Sequence, residues 1–199
     1  MQLFLNTTSP FARVARIVVL EKGLADRVEL VWSDPWNHDP ALLAVHPQLR
    51  IPILVTDDDQ AIAESLLIAQ YLDHLSAPAV IPHDAAAQVL AHTSVAYGLM
   101  EAAFNVVIAR KYEGAQADAS VMGQRRLAAI NRVLAQLERN PPAAATAPLT
   151  LDVICTVVAL EYVQFRLPQL LMTDRYPQLH AWLAQAAQQP HLQATRFVA

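Results

Sequence analysis

The sequence is short of cysteine, glycine and charge, and each shortage excludes something. Cys155 is the one cysteine in 199 residues. An intrachain disulfide and a cysteine-based zinc site are therefore excluded, and the composition fits a reducing compartment. The four glycines, Gly23, Gly98, Gly114 and Gly123, stand apart from one another. None builds a GxGxxG or GxxxxGK loop, so nucleotide phosphates have no glycine-rich cradle. Lys and Arg total 14 against 18 Asp and Glu, for a net charge of −4. Without a basic surplus to neutralise phosphates, nucleic acid is not expected as a partner. The longest strongly apolar run, Val153 to Leu160, lies between Asp152 and Glu161 and is far short of a membrane span. The apolar start, Met1 to Leu5, lacks a positive lead and stops at Asn6-Thr7-Thr8, unlike a signal peptide. The expectation is a soluble, cytoplasmic protein with no membrane partner. Seven histidines show no HxxxH or other ligand spacing, so no metal is expected.

Apolar material is plentiful. Hydrophobic residues make up 54% of the chain and charged residues 16%, enough for a packed core and too little charge for disorder. The length admits one large domain or two small ones. Gln2 to Asn6 is a strand candidate. Ser9-Pro10 then has the form of a helix start, a capping serine followed by proline at the first helical position. Phe11, Val14, Ile17, Val18 and Leu20 follow at helical spacing, and Gly23 is a stop. Arg27 to Trp32 alternates as a half-buried strand does. Ile53 to Thr56 and Ala61 to Ala63 flank Asp57-Asp58-Asp59-Gln60, a hairpin pattern with an acidic turn. Glu64 to Leu75 returns to helical period. The order is strand, helix, strand, loop, hairpin, helix, which argues for a small α/β layer. Pro78 to Pro82 reads as a linker. His83 to Glu113, Asp118 to Arg139, Thr150 to Phe165 and Tyr176 to Gln189 read as helices, so the remainder is all-α.

Three short segments carry chemistry. The first is Ser9-Pro10-Phe11-Ala12. Glutaredoxin-type proteins hold Cys-Pro-Phe-Cys at such a strand-to-helix turn. Dithiol exchange needs an attacking thiolate and a resolving thiol, and Ser9 and Ala12 supply neither. A serine can instead donate its hydroxyl hydrogen to a thiolate presented by a ligand. The helix N-terminus adds free N–H groups and partial positive charge, which together lower a thiol pKa from its usual ~8.5. The alternative is that Ser9 is simply an N-cap. The second segment is Arg50-Ile51-Pro52-Ile53-Leu54. A proline ahead of a strand marks the strand's first residue or an edge. If the Ile51–Pro52 bond is cis, the Ile51 N–H and C=O turn outward and can pair with a ligand backbone as an added strand would. An ordinary strand start is the alternative. The third is Glu64-Ser65. Ser65 can bind a carboxylate at the positive end of a helix, and Glu64 can pair with an ammonium; the two can equally be a capping pair.

Taken in order, these segments resemble the glutathione S-transferase superfamily over essentially the whole chain. Ser9-Pro10-Phe11-x-Arg13 is similar to the active-site turn of serine-type bacterial members. His46-Pro47-x-x-Arg50-Ile51-Pro52-Ile53-Leu54 is similar to the family's Asn-Pro-x-Gly-Lys-Val-Pro-x-Leu segment. Glu64-Ser65 with Ile68, Tyr71 and Leu72 is similar to its Glu-Ser-x-x-Ile-x-x-Tyr-Leu helix start. The resemblance implies an α/β thioredoxin-like N-terminal domain (βαβ-ββα, mixed four-stranded sheet) over residues 1–77, a linker over 78–83, and an all-α helical bundle over 84–199. It implies glutathione as cosubstrate with no tightly bound cofactor, a small electrophilic substrate, and a homodimer.

It also implies residue roles. Ser9 is the catalytic residue that stabilises the glutathione thiolate, with Phe11 beside it. Ile51, ahead of cis-Pro52, holds the cysteinyl backbone. Glu64 and Ser65 hold the γ-glutamyl end. Arg50 meets the glycyl carboxylate, and His38 falls where some classes place another glycyl contact. The electrophile is expected against Trp36, Tyr97, Met100, Glu101, Phe104, Tyr112 and Phe165. Two departures stand out: His46 and Leu49 replace the commoner Asn and Gly. A Cβ at residue 49 is expected to bend that loop differently. Cys155 is expected to be buried and inert. The alternative to a transferase is a non-catalytic scaffold or regulatory binding protein of the same fold.

Overall fold

The structure, a computed structural model, describes residues 1–198. Its elements in chain order are β1 (Gln2–Leu5), α1 (Pro10–Glu21), β2 (Glu29–Trp32), α2 (Pro40–Val45), β3 (Ile53–Val55), β4 (Ala61–Ala63) and α3 (Ser65–Asp73). They are followed by α4 (Ala86–Glu113), α5 (Val121–Arg139), α6 (Leu151–Arg166), α7 (Pro177–Ala186) and α8 (Pro190–Gln193). Two units separate. One holds Met1–Ala86, Pro148–Leu151 and the segment from Pro190; the other holds Ala87–Ala147 and Asp152–Gln189.

In the first unit the sheet order is β2-β1-β3-β4. β1 and β2 are parallel, and the other two pairings are antiparallel. This is the βαβ-ββα arrangement of a thioredoxin-like domain. Strand alternation divides the core into two layers. Phe4 and Ile53, paired in register, pack with Leu42 of α2 on one face. Leu3, Leu5 and Leu54 are buried on the other, where α1 and α3 pack together. The segment read as a loop between β2 and the hairpin contains α2. Its start repeats the device that begins α1: Asp39 Oδ1 accepts the Ala41 N–H at 2.9 Å, and Pro40 takes the first helical position. Six residues are too few for a helical period to show.

Two buried cations tie this unit together. Lys22 Nζ, at the C-cap of α1, meets Asp73 Oδ1 at 2.9 Å and donates to the Asp73 and Pro78 carbonyls. Asp73 also accepts the Val80 and Ile81 N–H groups, at 2.7 and 3.1 Å. Arg13, only 4% exposed, reaches the C-terminal segment. Its Nε donates to Thr195 Oγ1 at 3.4 Å, its second terminal nitrogen donates to the Leu192 carbonyl at 3.3 Å, and its guanidinium lies 4.6 Å from the centre of the Phe197 ring. At the other end of α1, Glu21 accepts the Leu149 N–H and meets His191 Nδ1 at 2.8 Å.

In the second unit α6 is apolar on nearly every side and buried from Val153 to Leu160. A helix of that kind belongs at the centre of a bundle. Burial pushes the Cys155 thiol well above its ordinary value, and the Asp152 carboxylate adds to the effect. Glu138 near the end of α5 accepts the Gln178 and Leu179 N–H groups, which caps α7. Gly123 in the first turn of α5 admits no side chain: a Cβ there would lie 2.1 Å from the Ala117 carbonyl oxygen. Gly98 on α4 has nothing within 4 Å of such an atom. The same substitution is thus expected to act with opposite sign. Gly98→Ala should raise stability by about 0.5–1 kcal/mol through helix propensity. Gly123→Ala should lower it by roughly 2 kcal/mol or more because backbone must move. Urea denaturation midpoints of the two variants check this pair.

Candidate functional site

Register brings the three motifs to one end of the sheet. β1 and β3 are antiparallel with Phe4 opposite Ile53, so the end of β1 adjoins the start of β3. β3 and β4 are antiparallel with Ile53 opposite Ala63, so Glu64 leaves β4 at that same end. β2 is parallel to β1 with Trp32 opposite Leu5, which sends the segment holding Trp36 and His38 from that end too. An ion pair spans the motifs directly: Arg50 lies 3.1 Å from Glu64 Oε1, the two side chains 61% and 45% exposed.

Ser9 occupies the N-cap of α1 in extended conformation, and its Oγ accepts the Ala12 N–H at 3.2 Å. Capping and chemistry were read as alternatives, yet they use different parts of the hydroxyl. The cap takes an oxygen lone pair. Among the described residues no hydrogen bond uses the hydroxyl as a donor, so its hydrogen is left for a ligand. The expected free N–H groups at this helix end are largely absent, which corrects that reading. Ser9 N–H donates to Asn6 Oδ1 at 2.8 Å, Thr8 N–H to the same oxygen at 3.1 Å, and Arg13 N–H to the Ser9 carbonyl at 3.1 Å. Pro10 has no N–H. The sequence offers Asn6, like Thr8 and Arg13, only as a substitute for Ser9 and not as its partner; the signal for partnership is an asparagine three residues before a capping serine.

The Ile51–Pro52 bond is cis. Pro52 is buried and Ile51 half-buried. Leu49 has φ +49, the left-handed conformation that glycine adopts most readily. The residue differs from the family's commoner Gly, yet the backbone takes the form a glycine favours, and the side chain packs against the Phe4–Leu42–Ile53 cluster. Glu64 is also left-handed, at φ +73, and stands at the N-cap of α3 with no side-chain cap bond. Ser65, read as the possible cap, is the first helical residue and fully buried. Phe11 is half-buried in the first turn of α1. His38 is exposed, with φ +52. Trp36 is exposed, its backbone N–H donating to Asp34 Oδ1 at 2.9 Å.

The residues expected against an electrophile lie, apart from Trp36, in the second unit. Tyr97, Glu101 and Phe104 fall on one face of α4 by their spacing. Met100 is fully buried, Tyr112 is exposed near the end of α4, and Phe165 on α6 has the Arg166 guanidinium 4.1 Å from its ring centre. Among the described residues no group of three His, Cys, Asp or Glu is placed to hold a metal ion. No helix there is long and apolar enough to cross a membrane.

A thioredoxin-like sheet whose first helix is capped by serine, with a cis-proline ahead of β3 and an acidic residue leaving β4 at the same end, defines a glutathione-transferase type of domain. Comparison with known proteins agrees. Residues 8–75 match the family model described as "Glutathione S-transferase, N-terminal domain". The uncharacterized GST-like protein YibF of Escherichia coli (strain K12) is 31% identical over 172 residues, 83% of each chain. A glutathione transferase family member from Pseudomonas fluorescens Pf-5, solved with bound glutathione, is 31% identical over 100% of this chain and 99% of that one, with a TM-score of 0.88. A Pseudomonas fluorescens Pf-5 family member solved with bound S-(propanoic acid)-glutathione is 30% identical over 100% of both chains, with a TM-score of 0.85. The chain belongs to the glutathione S-transferase family.

Proposed function

We propose that this chain is a glutathione transferase that uses Ser9 to hold the glutathione sulfur as thiolate for attack on a small electrophilic carbon. The observation that carries the reading is the Ser9 hydroxyl: its oxygen caps α1 through the Ala12 N–H, and its hydrogen has no acceptor among the described residues. A thiolate is a strong acceptor for it, and such a charge-assisted bond favours the ionised form. The positive end of the helix macrodipole acts in the same direction. Glutathione needs a site for each end as well as for its sulfur. Ile51 beside cis-Pro52 offers backbone groups to the cysteinyl residue. Glu64 and Ser65 suit the γ-glutamyl end, and Arg50 suits the glycyl carboxylate. The Pseudomonas family members that hold glutathione and its S-(propanoic acid) derivative support the choice of ligand. Sulfur attacks the electrophile directly, with no covalent bond to the enzyme. The electrophile side falls to residues of the second unit, with Tyr97, Glu101 and Phe104 the first to test, and the working form is a homodimer in the cytoplasm.

Calorimetric titration with reduced glutathione tests the reading. Saturable binding of one glutathione per chain is the expected result. No saturation up to millimolar glutathione would sink it in favour of a non-catalytic member of the fold.

A further inference from the structure

Asn6 is the residue immediately after β1, and its side chain closes the turn that presents Ser9. Its Oδ1 accepts two backbone N–H groups, Ser9 at 2.8 Å and Thr8 at 3.1 Å, and Thr8 Oγ1 lies 3.5 Å away. Two amide donors on one atom identify it as the carboxamide oxygen. Ser9 is consequently held at three of its own atoms. Its N–H is fixed by Asn6, its carbonyl by the Arg13 N–H at 3.1 Å, and its Oγ by the Ala12 N–H at 3.2 Å. The last two are what any N-cap serine makes. The first is not part of the cap, and no other acceptor among the described residues takes the Ser9 N–H. Without it the Thr8 and Ser9 amides need new partners, and the residue is anchored from the helix side alone.

We propose that Asn6 is a positioning residue that orients the Ser9 hydroxyl toward the ligand sulfur. The inference rests on the reading of Ser9 as the partner of the glutathione thiolate. A donor helps a charge in proportion to its alignment, and a hydrogen bond weakens steeply as its angle closes. The backbone clamp restricts where Cα and Cβ of Ser9 stand, and the Ala12 cap then fixes the side-chain rotamer. What remains movable is the hydroxyl hydrogen, which swings about the Cβ–Oγ bond. Asn6 makes no covalent or proton-transfer contribution. Its effect passes through Ser9.

The test reads the thiol pKa of bound glutathione, from thiolate ultraviolet absorption against pH, in Asn6→Ala, Ser9→Ala and the double variant. Calorimetric affinity is measured in parallel. Asn6→Ala is expected to lift the thiol pKa by roughly half a unit to one unit, a threefold to tenfold loss of thiolate at neutral pH. Affinity for glutathione should change by less than about threefold, since Ile51, Arg50, Glu64 and Ser65 are untouched. Placed on Ser9→Ala, the same change should add nothing, as expected for residues acting in series. Asn6→Ser keeps a short acceptor that can close the turn more weakly. It should recover part of the shift, and it serves if the alanine variant does not fold. An unmoved or lowered pKa in Asn6→Ala, or an equal shift with and without Ser9, overturns the proposal while leaving the role of Ser9 intact. An unmoved pKa in Ser9→Ala overturns both.

Discussion

Ser9→Ala is expected to reduce turnover with glutathione by about 100-fold, the loss typical when one donor to a developing negative charge is removed. The thiol pKa of bound glutathione should rise toward the ordinary ~8.5. The same substitution removes the N-cap, so stability should fall by about 1 kcal/mol. Two further variants separate the effects. Ser9→Thr keeps both an acceptor for the Ala12 N–H and a hydroxyl hydrogen, and should retain most of both properties. Ser9→Asp is a good cap with no hydrogen to give and a negative charge set against the sulfur. It should match the wild type in thermal unfolding and be inactive. A Ser9→Asp enzyme with substantial turnover would show that the hydroxyl is dispensable.

Lys22→Met is expected to cost the first unit roughly 3 kcal/mol, the lower end for breaking a buried ion pair. The Lys22 side chain is fully buried and that of Asp73 is 11% exposed. Among the described residues, removing the cation leaves a carboxylate held by the Val80 and Ile81 amides alone. The pH dependence has a definite sign. Burial alone would raise the Asp73 carboxyl. The Lys22 hydrogen bond, the two amides and the Lys22 charge outweigh it, and the group is held below its usual value. A carboxyl depressed in the folded state stabilises the fold at pH values above its unfolded value, about 3.9. That contribution is lost as pH falls through the folded value. The stability difference between wild type and Asp73→Asn should accordingly be full near neutrality and shrink in acid. Guanidinium denaturation at a series of pH values measures it. A gap that stays constant down to strong acid would remove Asp73 from the account. Lys22→Met/Asp73→Asn should lose less than the sum of the single changes, because the lone buried charge is gone.

Much of the first unit was legible because its signals are local. Ser9-Pro10 and Gly23 bracket α1 by capping chemistry that needs no tertiary partner. The Asp57–Gln60 turn between two apolar triplets is a hairpin in sequence and in structure. α2 is not legible by periodicity although Asp39-Pro40 repeats the Ser9-Pro10 device, since its 6 residues make fewer than about two turns. What local pattern cannot reveal is a partner far along the chain. Arg13 looked like one position of an active-site motif, and its guanidinium lies among residues 179 to 184 positions later. The Arg50–Glu64 pair and the grip of Asn6 on Ser9 depend on where loops meet, which register fixes and composition does not. Leu49 shows the reverse case. The sequence departs from the family's glycine, yet the backbone keeps the conformation that glycine favours, with apolar packing on the Leu49 side chain accompanying it.

The contacts of Arg13 set an order of manufacture. A chain leaves the ribosome from its N-terminus at about 5–20 residues per second. Thr195, a partner of Arg13, is made 182 residues after it. The helix that carries Ser9 therefore precedes this contact by roughly 10–40 seconds of synthesis. Nascent chains arrested before residue 190 should present this helix to chaperones and proteases, and extension through residue 197 should end that exposure.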